Sequence, residues 1–172
     1  MDALKYTWQP ATGSDVPDIV GMAQRHFESE IDQIFTPDPI VYSRNITLAV
    51  VQQFYAPLTQ LLSVAKTQQN HLIAYTWAER NQRAPWSDDE MITIKMAHVD
   101  MTLSSRDRIR LVNQMIDMWE AWSLMCGVHV VCSTTMRGDQ AAFLRLHQRR
   151  GYDVRGSYAY KRLVQSRAQH PD

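Results

Sequence analysis

Three groups of residues have the types and spacing for chemistry. His98 and Asp100 lie in Met91–Met101, which alternates as a strand, so both side chains fall on one face. Histidine and carboxylate both accept protons, and such a pair on an otherwise apolar face marks either a cleft mouth holding a general base or a solvent-exposed polar edge. Glu79, at a strand end, is a further base candidate. The second group is Arg106-Asp107-Arg108-Ile109-Arg110-Leu111, at the start of a long helix. Arginine forks suit phosphate, and a helix start supplies oriented N–H groups. Arg106 and Arg110 are spaced to share a helix face. The same segment also reads as a well-capped helix start, with Ser104 and Asp107 at capping spacing and Ile109 in the core stripe. The third group is Gln140–Tyr152. There Phe143, Leu144, Leu146 and His147 recur at helical spacing, and Gly151 stands where a left-handed cap falls. His147 is either a proton donor near neutral pH or an ordinary interior histidine.

These groups need elements to position them. Leu4–Gln9 is expected as a first strand. A helix capped by Ser14 follows, with Val16, Ile19, Val20, Ala23 and Phe27 as its apolar stripe. Pro37 and Pro39 break Glu28–Tyr42, and a second helix is expected over Arg44–Tyr55, before Pro57. Leu61–Thr67 and His71–Glu79 read as strands around the polar turn 68–70, and Arg80–Glu90 as a loop carrying Trp86. After the Met91–Met101 strand, a helix from Ser105 to Cys126 ends at Gly127. Val128–Ser133 is a short strand. Tyr152–Arg155 and Ser157–Leu163 are expected as the last two. This order predicts an α/β (α+β) domain over 1–164, with 165–172 as a tail.

Composition excludes several classes. A chain of 172 residues folds without a metal or disulfide staple. The formal net charge is zero, which makes nucleic acid an unlikely partner. The first third is acidic and the last quarter basic, so either two solvated faces or a rim for an anionic ligand is expected. Cys126 and Cys132 stand in an apolar stretch and suggest reduced, buried thiols, with no metal site. Met1–Trp8 lacks the apolar core of a signal peptide, and no run approaches the roughly 18 apolar residues that span a bilayer. A cytoplasmic protein with no membrane partner is expected.

The order of elements resembles that of the GNAT acyltransferase superfamily along nearly the whole chain. Thr12–Val20 is similar to its first strand-to-helix junction. Leu61–Tyr75 is similar to its hairpin, with Ala74-Tyr75 in place of a Gly-Tyr-type pair. Gln140–Tyr152 is similar to its last helix, Asn-x-x-Ala-x-x-Leu-Tyr-x-x-x-Gly-Phe. The resemblance implies a mixed, mostly antiparallel sheet of about six to seven strands flanked by about four helices. It also implies acetyl-CoA as cofactor. The backbone around Met101 and Leu103 would meet the pantetheine arm. Arg106–Leu111 would stand for the pyrophosphate loop Gln/Arg-x-x-Gly-x-Gly, with Ile109 and Leu111 replacing its glycines. Gln140 and Phe143 replace the Asn and Ala that lie close to the cofactor. His147 replaces the tyrosine that protonates the leaving thiolate.

Two functions follow from the resemblance. One is acetyl-CoA-dependent N-acetyl transfer to a small-molecule or protein amine, with His147 as acid and His98 or Asp100 as base. The other is a non-catalytic GNAT-fold binding or structural protein, similar to some encoded by bacteriophages, that has lost the cofactor site. A homodimer is compatible with either.

Overall fold

Local chemistry sets where each element begins. The structure, a computed structural model, describes residues 4–30, 35–135 and 140–156. Strand β1 is Tyr6–Pro10, and a short 3-10 turn, Gly13–Asp15, leads into helix α1, Val16–Glu30. The cap there is Thr12 rather than the expected Ser14. Asp15 Oδ2 accepts the Thr12 N–H at 2.7 Å and its hydroxyl at 2.9 Å, and the 3-10 turn takes Ser14 inside. Helix α2 is Pro39–Tyr55, starting five residues before the expected Arg44. Asp38 Oδ1 accepts the N–H groups of Ile40 at 2.9 Å and Val41 at 3.1 Å. Pro39 then stands at the helix start, where its missing N–H costs nothing, so this proline begins a helix instead of breaking one.

Strands β2 (Gln60–Thr67) and β3 (Leu72–Arg83) form the expected hairpin, with Asn70 at φ 60°, a left-handed conformation that asparagine tolerates. Strand β4 is Glu90–Val99. The loop between β3 and β4 is shorter than expected, because the strands continue to Arg83 and from Glu90. A two-pronged Arg80–Glu90 pair, 2.7 and 2.9 Å, ties them together. β4 stops at Val99 and not at Met101. The Asp100 carboxylate accepts the Thr102 N–H at 2.9 Å and its hydroxyl at 2.8 Å, and turns the chain.

Helix α3, Ser105–Met125, ends beside Gly127 at φ 69° and crosses over to β5, Val130–Ser133, which pairs parallel with β4. Among the described residues the sheet has five strands in the order β1-β2-β3-β4-β5, antiparallel except for the last pair. Helix α4 is Ala141–Arg149. Residues 152–156 carry no strand pairing, and the expected strand Ser157–Leu163 and tail lie outside the described residues.

The chain divides into two compact units: Met1–Arg25 with Asp38–Thr134, and His26–Pro37 with Thr135–Asp172. The sheet, α2 and α3 belong to the first, and α4 to the second. Leu111, Met115, Ile116, Trp119 and Trp122 of α3 are buried. Trp119 Nε1 donates to Thr76 Oγ1 at 2.8 Å, so the polar end of a fully buried indole is satisfied. α2 buries Ile46 and Ala49. The start of α3 is held by Ser104, whose hydroxyl accepts the Asp107 N–H at 3.2 Å. Ser104→Ala should lower stability by about 1 kcal/mol in urea unfolding. An unchanged midpoint would mean that water replaces the cap.

Candidate active site

Pairing between β4 and β5 covers only Met91↔Val130 to Ile94↔Ser133. β4 runs on to Val99, held by β3 on one side and unpaired on the β5 side among the described residues. The pleat determines which groups this frees. Asp100 N–H donates to Ile73 O at 2.8 Å, and His98 stands opposite Tyr75 in the same ladder. The backbone of His98 therefore points to β3, and the amides of Ala97 and Val99 point to the side that β5 has left.

This open edge leads through the 100–104 turn to the start of α3. Among the described residues the N–H groups of Ser105 and Arg106 have no partner, as expected for the first turn of a helix. The Arg106 side chain is exposed, and no hydrogen bond or ion pair joins it to a described residue. Arg108 donates to Met101 Sδ at 3.5 Å and Ser105 Oγ at 3.1 Å. Arg110 donates to Asp107 Oδ1 at 3.0 Å and Leu4 O at 3.1 Å, and lies 4.9 Å over the Tyr6 ring. Arg106 and Arg110 therefore do not act as a pair, because Arg110 anchors the chain leading into β1. Ile109 is 55% exposed and Leu111 fully buried, so Leu111 and not Ile109 belongs to the core stripe. Two residues along a helix turn the side chain by about 200°. Leu103, in the turn, donates its N–H to Asp100 O at 3.2 Å.

His98 belongs to a hydrogen-bonded chain. Its Nδ1 lies 2.7 Å from Tyr75 Oη, which lies 2.9 Å from Tyr42 Oη on α2. The Tyr75 and His98 rings meet edge to face with centroids 5.0 Å apart. Burial pushes the Tyr75 hydroxyl well above the usual phenol range, and the neighbouring Tyr42 pushes it further. Burial also pushes Tyr42 up, against a smaller pull from the Tyr75 hydroxyl bond. Both phenols stay protonated at neutral pH. Sequence reasoning misses both tyrosines as site residues, since Tyr42 stands in a segment expected to be irregular and Tyr75 in a hairpin pair. Their meeting with His98 depends on the β3–β4 register, which has two irregularities and is set by no local signal.

The structure does not join Asp100 to His98. The Asp100 carboxylate is bonded to Thr102, as described above, and leaves no pair for base chemistry. Glu79 accepts Lys95 Nζ at 2.8 Å.

In the second unit, Gln140 is exposed at the cap position of α4 and makes no side-chain cap bond. Gly151 takes φ 85°, the left-handed cap that the sequence predicts. His147 is buried against Phe143 and Tyr152, with centroids 4.1 and 5.0 Å away. Its Nδ1 lies 3.0 Å from Phe143 O. A carbonyl only accepts, so this nitrogen carries the proton and Nε2 is an acceptor in the neutral ring. Proton donation from Nε2 requires the imidazolium form.

Burial pushes the Cys126 and Cys132 thiols up, and both are free. Among the described residues no group of His, Cys, Asp or Glu could hold a metal, and no helix is long and apolar enough to cross a membrane.

No protein-family model matches the sequence, and no curated protein matches it. Solved structures match its fold. A predicted acetyltransferase of Clostridium acetobutylicum, crystallised with acetyl-CoA, aligns over 95% of this chain and 99% of its own, with a TM-score of 0.69 and 12% identity. The aminoglycoside 6'-N-acetyltransferase AAC(6')-Ih of Acinetobacter baumannii aligns over 93% and 100%, with a TM-score of 0.66 and 15% identity. A transcriptional regulator of Bacillus halodurans aligns over 92% and 100%, with a TM-score of 0.65 and 15% identity.

Proposed function

We propose, for a chain that has the fold of the GNAT acetyltransferases, acetyl-CoA-dependent transfer of an acetyl group to an amine, small or protein-borne. The observation that carries this is the opened edge of β4 running into the unpartnered N–H groups of α3. The donor set fits the cofactor. The Ala97 and Val99 amides suit the pantetheine amides, and the Ser105 and Arg106 N–H groups with the Arg106 guanidinium suit a pyrophosphate. Met101 and Leu103 flank this path in the turn. No glycine lies in Arg106–Leu111, so charge and a helix start would do what a close-fitting loop does elsewhere.

Acetyl-CoA, when bound, supplies an activated thioester carbon. The chain's own residues must then bind, orient and move a proton. His98, bonded to Tyr75 through Nδ1, is the proposed base; Asp100 is committed to Thr102 and Glu79 to Lys95. It takes the amine proton and becomes imidazolium.

Titration calorimetry with CoA and acetyl-CoA tests the proposal. Saturable binding is expected. Arg106→Ala should weaken it about tenfold, the value of one exposed charge-assisted hydrogen bond, without moving the unfolding midpoint. Absence of heat at millimolar cofactor would remove the proposal. It would leave the second function, a non-catalytic GNAT-fold binding protein, which the fully buried Leu111 in place of a loop glycine favours.

A further inference from the structure

We propose that the outer face of α2 is a contact between two copies of this chain, laid antiparallel across a two-fold axis at Thr47 and Leu48. No part of this rests on the acetyl-transfer reading.

α2 has two apolar faces. The inner one buries Ile46 and Ala49 and half-buries Tyr42, Val50 and Gln53. On the opposite side, at about 100° of rotation per residue, stand Ile40, Leu48, Val51 and the Phe54–Tyr55 pair. These five are 82%, 52%, 46%, 79% and 79% exposed. Ile40, Arg44, Thr47, Val51 and Phe54 follow the alternating four-three spacing of a seam between two helices. Arg44 is the one charged residue among the 17 of this helix. A helix that is apolar all round belongs in an interior, so the outer face of α2 calls for a cover. Its five apolar side chains expose on the order of 700 Å², more than the roughly 300–600 Å² patch of a typical monomer and close to one side of a standard interface.

The face is complementary to itself. Its first half forms a groove lined, among the described residues, by Pro39, Ile40, Ser43, Arg44, Thr47 and Leu48. Its last turn carries a ridge, Phe54 and Tyr55, with the rings edge to face at 5.1 Å. A two-fold axis at the middle lays each ridge on the other copy's groove, so one contact is made twice. Ile40 then meets the partner's Tyr55. Arg44 lies along the partner's Val51, with its guanidinium within reach of the partner's aromatic pair. The two Arg44 charges are seven residues apart along the helices, about 10 Å, which exceeds the Debye length at physiological salt. A parallel pair would instead set Arg44 on Arg44 and leave both grooves unfilled. The formal net charge of the chain is zero, so no long-range repulsion opposes two copies. A lipid surface is a poorer match, because interfacial helices flank their apolar face with several Lys and Arg, and α2 has no lysine.

Sedimentation equilibrium of the full chain between about 1 and 100 µM reads the state, over the range where a standard interface of modest strength titrates. Two chains per particle are expected at the upper end. Val51→Arg sets a cation against the partner's Arg44 at two places and should weaken association about tenfold or more, with an unchanged unfolding midpoint. Adding Arg44→Glu makes the facing charges opposite and should recover most of the loss, which only the antiparallel pairing allows. A wild-type chain still single at about 100 µM would overturn the proposal. So would a Val51→Arg chain that pairs as tightly as wild type, or a double variant no tighter than Val51→Arg. If Val51→Arg does not fold, Phe54→Ser, at a side chain 79% exposed, must loosen the pair instead, and no change counts against the proposal. Flotation of a single wild-type chain with vesicles of phosphatidylcholine and phosphatidylserine would give the face to a lipid surface and reject the second copy.

Discussion

Lys66→Met should lower the free energy of unfolding at neutral pH by about 3–5 kcal/mol, because it leaves a carboxylate charge in the interior without its partner. Asp15 is 1% exposed and Lys66 7% exposed. Lys66 Nζ pairs with Asp15 Oδ1, while Oδ2 takes the N–H and hydroxyl of Thr12. The pair fastens the β1–α1 junction to β2. Burial alone would push the Asp15 carboxyl up, but the bonds from Lys66 and Thr12 outweigh it and hold it below its ordinary 3.8. A depressed carboxyl contributes stability that is fully present above the ordinary value and is lost as pH falls through the lower folded value. In Lys66→Met only the two Thr12 bonds are left to oppose burial, so the Asp15 carboxyl protonates more readily than in wild type. The gap between variant and wild type should therefore narrow on acidification. Urea unfolding at neutral and acid pH measures both effects. A neutral-pH loss below about 1 kcal/mol would mean that the pair behaves as a solvated surface bridge. Adding Asp15→Asn to Lys66→Met should recover part of the loss, since the uncompensated charge is then removed.

His98→Gln should lower kcat by about 10²- to 10⁴-fold, the range for loss of a positioned general base, and leave CoA affinity unchanged. Glutamine keeps a polar group beside Tyr75 but takes up no proton. Initial rates with acetyl-CoA against a panel of primary amines measure the first effect, and calorimetry the second. A loss of less than about tenfold across acceptors would show that the amine arrives already neutral and needs no base from the chain. A parallel loss of CoA affinity would show that His98 supports the fold of the open β4 edge rather than proton transfer.

Elements governed by near neighbours are legible in the chain itself. α3 declares itself through Ser104 and Asp107 at its start and Gly127 beyond its end, and it runs over Ser105–Met125. α4 does so through its stripe and Gly151. The β2–β3 hairpin follows from two apolar runs around a polar turn. The shifted boundaries also have local causes. Pro39 has the look of a breaker, but the Asp38 cap before it turns it into a helix start. β4 has the alternation to reach Met101, but the Asp100 side chain bonds to Thr102 and starts a turn.

The site is less legible because its members meet across the fold. Spacing nominates His98 but pairs it with Asp100, whereas its structural partners are Tyr75, 23 residues away, and through it Tyr42 on another element. Spacing puts Arg106 and Arg110 on one face, but Arg110 is drawn to the backbone of Leu4, 106 residues away. Ile109 and Leu111 both stand at glycine positions of the resemblance, and the rotation of α3 against the sheet sends one to solvent and the other to the core. Periodicity, capping and left-handed glycines act over a few residues, so the elements and their order are written in the chain. Register across the sheet and the docking of α2 and α3 act over its whole length. They alone put two phenols behind His98 and, among the described residues, leave the edge of β4 open.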